Sequence, residues 1–240
     1  MIPIHNYHNS INQTAAWDLS DSQALYKKNI SNAVTRQKMI DAGYLDVDIE
    51  YKFNSHGFRT HEVETPADVL CFGCSFTMGT GVHNHETWPS QLESLTGLLC
   101  INLGHAGCSN DTAFRMAAHY LKLMKPKYAV WLQTDSYRFE LFDEAVVMNM
   151  LPGDVAQGPC ANDYFVKYWF LVSENSRVNH EKNTLAFQML CHLENVTPII
   201  IAREEVPFID CARDLMHPGR LSYQKLAQTI ISRMSQVDQE

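Results

Sequence analysis

The stretch that decides the fold is ADVLCFGCSFTMGTGV, residues 67–82. Its first half is apolar without alternation and stops at Gly73. A short run of that kind reads as a strand covered on both faces, as in a parallel sheet. The second half offers three chemistries. Cys71 and Cys74 make a C-x-x-C pair, Gly73, Gly79 and Gly81 suggest a phosphate cradle, and Ser75 stands where a turn presents a nucleophile.

Outward from this stretch the chain alternates short apolar runs with longer amphipathic ones. ETWPSQLESLTG (86–97) carries Trp88, Leu92 and Leu95 at helical spacing, and Gly97 stops it. LLCINLG (98–104) is a second strand. SNDTAFRMAAHYLKLMKP (109–126) opens on capping residues and closes on Lys125 and Pro126. YAVWLQT (128–134) is a third strand, a helical region covers about 163–195, and TPIIIAR (197–203) is a fourth strand. GRLSYQKLAQTIISRM (219–234) is a last amphipathic helix. This rhythm predicts an α/β fold with helices on both faces of a mainly parallel sheet. One domain over 1–240 is expected, with its core at 67–235. Residues 1–66 read as an N-terminal decoration with a helical stretch near 21–42. The segment 136–165, which contains LPGDVAQGPC, is too long for a plain connection and reads as an insertion near the site.

The 240 residues carry a formal charge of −8 and are 45% hydrophobic. That charge disfavours sequence-independent nucleic-acid binding and anionic membrane surfaces. No apolar run approaches the ~20 residues that span a bilayer, and MIPIHNYHNSINQTAAW lacks the pattern of a signal peptide. Seven cysteines, several in apolar runs, suit free thiols in a reducing compartment. The expected location is therefore the cytoplasm.

Of the three chemistries, the first two find little support. Cys71 lies inside the strand instead of at a helix start, where a reactive thiol is favoured. Cys108, Cys160, Cys191 and Cys211 are scattered singly, which is unlike a zinc site. No lysine follows Gly79 as a P-loop requires, and Gly79-x-Gly81 has no third glycine three positions on. A serine at the C-terminal edge of a parallel sheet, by contrast, lies where open α/β folds gather their chemistry. It needs a base to take its proton and a carboxylate to orient that base. CARDLMHPGRLSYQKLAQ (211–228) supplies Asp214 and His217, three residues apart, though among eleven histidines one such pair alone is weak.

The conjunction of segments resembles a known family, the SGNH (GDSL-like) hydrolases. FGCSFTMGTGV looks like the nucleophile block, with Cys74 where Asp is usual. INLGHAGCSN (101–110) is similar to the second block, DLMHPG (214–219) to the final one, and NSHGFRTHE (54–62) to a lead-in segment. The resemblance implies a flavodoxin-like three-layer α/β/α fold with about five strands. It makes Ser75 the nucleophile, His217 the general base and Asp214 its orienting carboxylate. The backbone N–H groups of Ser75 and Gly107 become oxyanion donors, and no metal or cofactor is implied. It further implies a small-molecule or carbohydrate O-acyl ester as substrate, with small acetyl-like groups cleaved. The third block departs from the pattern: WLQTDSYRFE (131–140) places Thr134 where an asparagine donor is usual, with Gln133 before it. Losing such a donor typically costs about 2.7–4 kcal/mol of transition-state stabilisation. A non-catalytic binding protein of the same fold, an acyltransferase and a thiol redox protein are the alternatives.

Other residues have two readings each. HNHE (83–86) is either a metal-ligating cluster or a polar loop before a helix. Asn110 and Asp111 read as helix caps. Arg138 is a substrate anchor or a partner of Asp135 or Glu140. The aromatic run DYFVKYWF (163–170) lines a sugar cleft or packs in the core.

Overall fold

A computed structural model describes residues 11–63, 66–143, 146–150 and 164–239. Its centre is a parallel sheet of β3 (Val69–Phe72), β4 (Cys100–Asn102), β5 (Tyr128–Leu132) and β8 (Thr197–Ile201). The spatial order is β4-β3-β5-β8, with Val69 opposite both Cys100 and Tyr128, and Tyr128 opposite Thr197. Among the described residues the main sheet thus has four strands, where about five were expected. Successive side chains of a strand point to opposite faces, and each face has its own core. Val69, Cys71, Val130, Leu132, Ile199 and Ile201 pack with Trp88, Leu92, Leu226 and Ile230. Leu70, Phe72, Ile101, Ala129 and Trp131 pack with Met116, Tyr120 and Phe187.

The first face is covered by α4 (Trp88–Thr96) and α8 (Arg220–Val237), the second by α5 (Asn110–Met124) and α7 (Ser173–Leu193). The result is a three-layer α/β/α architecture. Burying a Trp131- or Phe187-sized side chain stabilises the fold by about 1.5–3 kcal/mol each, which explains the unbroken apolar runs. Thr87 caps α4 by accepting from Ser90 N–H, and Gly97 ends it with φ 72°. The helical region expected at 163–195 is two helices, α6 (Tyr164–Leu171) and α7, interrupted at Val172, whose backbone is extended. The stretch near 21–42 is likewise divided, into α1 (Gln23–Ser31) and α2 (Ala33–Ala42). Asn32 leaves the helical region and its side chain accepts from Val34 and Thr35 N–H.

Two small antiparallel pairs flank the core: β1 (Thr14–Ala15) with β2 (Tyr51–Lys52), and β6 (Phe139–Asp143) with β7 (Val146–Met150). The latter hairpin lies in the expected insertion, whose LPGDVAQGPC segment falls outside the described residues. A buried fork from Arg115 to Glu140 (Nε–Oε2 3.1 Å, Nη2–Oε1 2.9 Å) ties the hairpin to α5. Among the described residues no helix is long and apolar enough to cross a membrane.

Candidate active site

The first half of the site follows from the end of β3. Gly73 has φ 153°, and a Cβ there would lie 2.2 Å from Thr77 Oγ1 and 2.7 Å from the Leu132 carbonyl oxygen. Only glycine fits that approach. The chain then turns into α3 (Ser75–Met78), one helical turn that Gly79 closes at φ 85°. Asn102, at the end of β4, donates from Nδ2 to the Thr77 carbonyl at 2.8 Å and locks this turn to the sheet. Ser75 is left at the C-terminal edge, 9% exposed.

The second half is a closed loop before α8. Ala212 N–H donates to the His217 carbonyl (2.9 Å) and Gly219 N–H to the Asp210 carbonyl (3.0 Å), while Leu215 adopts φ 60° between them. Asp210 also caps α8, accepting from the N–H groups of Leu221 and Ser222. Within the loop Asp214 Oδ1 accepts from the N–H groups of Met216 (3.0 Å) and His217 (3.1 Å). Its Oδ2 lies 2.6 Å from His217 Nδ1, and His217 Nε2 lies 2.8 Å from Ser75 Oγ. A carboxylate facing Nδ1 holds the ring proton there, so Nε2 accepts from the serine hydroxyl. Burial pushes the Asp214 carboxyl up, but the hydrogen bond and charge of His217 and the two backbone N–H groups outweigh it. The net direction is below the ordinary carboxylate value.

The N-terminal segment, read from sequence as a decoration, reaches into this machinery. Ser20 Oγ donates to Asp214 Oδ2 at 2.9 Å. Arg213, next to Asp214, forks onto Asp21 (3.0 and 2.8 Å) and donates to the carbonyls of Ala16 and Val47. Tyr51 O–H donates to Asp21 Oδ2 and accepts from Gly81 N–H. Arg59, 1% exposed, donates to the carbonyls of Gly79, Val82 and Glu50, fastening the turn that follows Ser75. Sequence reasoning missed these residues. The available signals were the position of Arg213 immediately before the final block and of Arg59 inside the lead-in segment.

Gly107 has φ 76°. Among the described residues neither its N–H nor that of Ser75 is given to a protein acceptor. Thr134 ends up beyond β5 with its backbone clasped by Asn110: Thr134 N–H donates to Oδ1 and Asn110 Nδ2 donates to the Thr134 carbonyl, both at 3.0 Å. The Thr134 hydroxyl is buried with no hydrogen-bond partner. Gln133 gives its Nε2 to Thr184 Oγ1 at 2.8 Å. The capping expectation for Asn110 and Asp111 is corrected: Ser109 caps α5. Asp111 instead bridges layers, accepting from Asn179, Asn183 and the Glu140 N–H.

The remaining candidates resolve as follows. Burial pushes the Cys71 and Cys108 thiols up, away from the thiolate that redox chemistry uses. Cys74 Sγ lies 3.9 Å from Ser75 Oγ. His83 and His85 stack on each other, and Glu86 accepts from Tyr44 O–H and His83 N–H. No group of three or more metal-ligating side chains occurs among the described residues. Arg138 pairs with Asp135 at 2.8 Å. Of the aromatic run, Trp169 and Phe170 pack against Phe139, and Tyr168 is exposed. Residue 163 lies outside the described residues.

No family model matches the sequence, and no curated protein matches it. Solved structures similar to it include a protein from Desulfitobacterium hafniense described as lipolytic and of the G-D-S-L family. That likeness has 13% identity and a TM-score of 0.36 over 69% of this chain and 97% of the other. A psychrotrophic esterase from Pseudoalteromonas is 12% identical with a TM-score of 0.38, over 72% and 98% of the two chains. A family 3 carbohydrate esterase from Clostridium thermocellum is 12% identical with a TM-score of 0.36, over 70% and 94%.

Proposed function

We propose that the chain is a single-domain serine hydrolase of the SGNH type that cleaves small O-acyl esters through an acyl-enzyme on Ser75. The observation that carries this reading is the unbroken relay Ser75 Oγ–His217 Nε2 at 2.8 Å and His217 Nδ1–Asp214 Oδ2 at 2.6 Å. The strand order β4-β3-β5-β8 supports the flavodoxin-like description, since in chain order it runs 2-1-3-4. Ser75 Oγ attacks the acyl carbon while its proton passes to His217 Nε2. The oxyanion that forms is met by the N–H groups of Ser75 and Gly107, with the Thr134 hydroxyl as third donor. Collapse expels the alcohol, which takes the proton from Nε2. Water, deprotonated by the same nitrogen, then releases the acid. Buried free thiols at Cys71, Cys100 and Cys191 support a reducing, cytoplasmic setting.

A second reading, a binding protein that retains the site's shape, is favoured by one observation: a threonine stands in the third oxyanion position. The two separate on a fluorophosphonate probe followed by intact mass. The hydrolase reading expects one label on the wild type, none on Ser75→Ala, and turnover of an acetyl ester. Removing such a nucleophile lowers kcat on the order of 10^6-fold in a serine hydrolase. A wild type that takes no label and turns over no ester promotes the binding protein. Product analysis with a sugar acceptor present separates hydrolysis from acyl transfer.

A further inference from the structure

A cavity of about 360 Å³ opens beside the relay, between the C-terminal ends of β5 and β8 and helix α7. Its inner wall is formed by Gln133, Thr134, Ser176, His180 and Arg203, while Glu174, Arg177 and Glu204 stand exposed at the rim. The inner wall holds two donors, on His180 and Arg203, that the protein does not use. Asn110 accepts Thr134 N–H on Oδ1, which fixes its amide, so Nδ2 donates to His180 Nδ1 at 3.1 Å. An accepting Nδ1 puts the ring proton of neutral His180 on Nε2. The Arg203 guanidinium lies 3.8 Å over the Phe76 ring and enters no ion pair among the described residues.

Charge separates the wall from the rim. Glu174 is bonded to Arg177 in the open, and water screens exposed Glu204. Among the described residues, Arg203 is the only formally charged group on the inner wall. The link to the relay runs through Phe76, which follows Ser75 and whose ring lies under Arg203 and edge-on to His217 at 5.2 Å. An apolar chain here would strand these donors against hydrocarbon, which is costly. A planar anion would satisfy them and match the arginine fork.

We infer that this cavity is a subsite for an anionic oxygen group, carboxylate or phosphate, carried by the substrate beside its ester. The inference rests on the hydrolase reading. Arg203 is the specificity-determining residue, with His180 Nε2–H as supporting donor.

The test compares ester pairs that differ only in one charge. A hemisuccinate ester against its methyl-capped form places the charge on the acyl side. The acetate of a carboxyphenol against that of its methyl ester places it on the leaving group. The wild type is expected to favour the charged member of one pair by about tenfold or more in kcat/KM, the factor that 1.4 kcal/mol represents. Arg203→Met should bring that ratio near one, and Arg203→Lys should keep part of it. No preference in either pair, or a ratio that survives Arg203→Met, overturns the inference. If the wild type takes no fluorophosphonate label and cleaves no ester, the hydrolase reading falls separately. Calorimetric titration with succinate and with inorganic phosphate then decides the cavity. Binding lost in Arg203→Met supports it, and binding that is absent or unchanged overturns it.

Discussion

The two halves of the site are held by different means. The turn that carries Ser75 is shaped by its own backbone, through Gly73 and the single turn of α3, and fastened by Asn102 of the neighbouring strand and by Arg59. The loop that carries Asp214 and His217 is closed locally, but its charges are satisfied in part from far away. Ser20 and Asp21, 194 and 192 positions from their partners, supply the bonds to Asp214 and Arg213. A nucleophile needs only a place at the sheet edge, which backbone geometry provides. A base must be held in one tautomer and one rotamer, and that takes a fixed electrostatic surrounding.

Breaking the remote support should therefore harm the molecule most. Arg213→Met strands the buried Asp21 carboxylate, at a side-chain exposure of 1%, and should cost about 3–5 kcal/mol in urea unfolding. A loss no larger than that of a surface substitution would remove the contrast. Next comes Gly73→Ala, where the added methyl meets a carbonyl oxygen and the Thr77 side chain. Overpacking of this kind costs about 1–3 kcal/mol, and fluorophosphonate labelling of Ser75 should slow more than that of other variants of equal stability.

Ser20→Ala should act more gently. It removes one neutral donor from a carboxylate, an interaction worth about 1.5–3 kcal/mol, part of which appears as a lower kcat. KM should stay near the wild-type value, and Ser20→Thr should restore the rate. A matching loss in both parameters would mark Ser20 as structural only. The smallest effect is in the acid stability profile. The folded Asp214 carboxyl lies below its ordinary value of 3.8, so the unfolded chain binds the proton more readily. Its contribution is present above that value and lost as pH falls through the folded one. Asp214→Asn should therefore flatten stability against pH below about 4, measured by unfolding at fixed urea.

Much of the fold was legible because a strand covered on both faces must be apolar at every position. The runs at 69–72 and 128–132 are such strands, and those at 100–102 and 197–201 depart from the pattern at Asn102 and Thr197. The breaks at Asn32 and Val172 were not legible, since helix continuity there depends on what each half packs against. Ser75, Asp214 and His217 could be singled out because their motifs are short and their chemistry demands those residue types. Ser20 and Asp21 could not, because a serine or an aspartate in a polar segment looks the same whether solvated or buried, and Arg59 and Arg213 were marked only by their place in or beside a motif.

What the sequence determined by itself, then, is the alternation of strand and helix and the glycine-bounded turn of 73–79. Both are local consequences of side-chain volume and backbone freedom. Only the tertiary structure decided that the N-terminal segment closes over Asp214, that Asn110 clasps Thr134, and that Arg203 faces a cavity beside the relay. Those depend on desolvation, which a group acquires from neighbours distant in the chain and which no local pattern encodes.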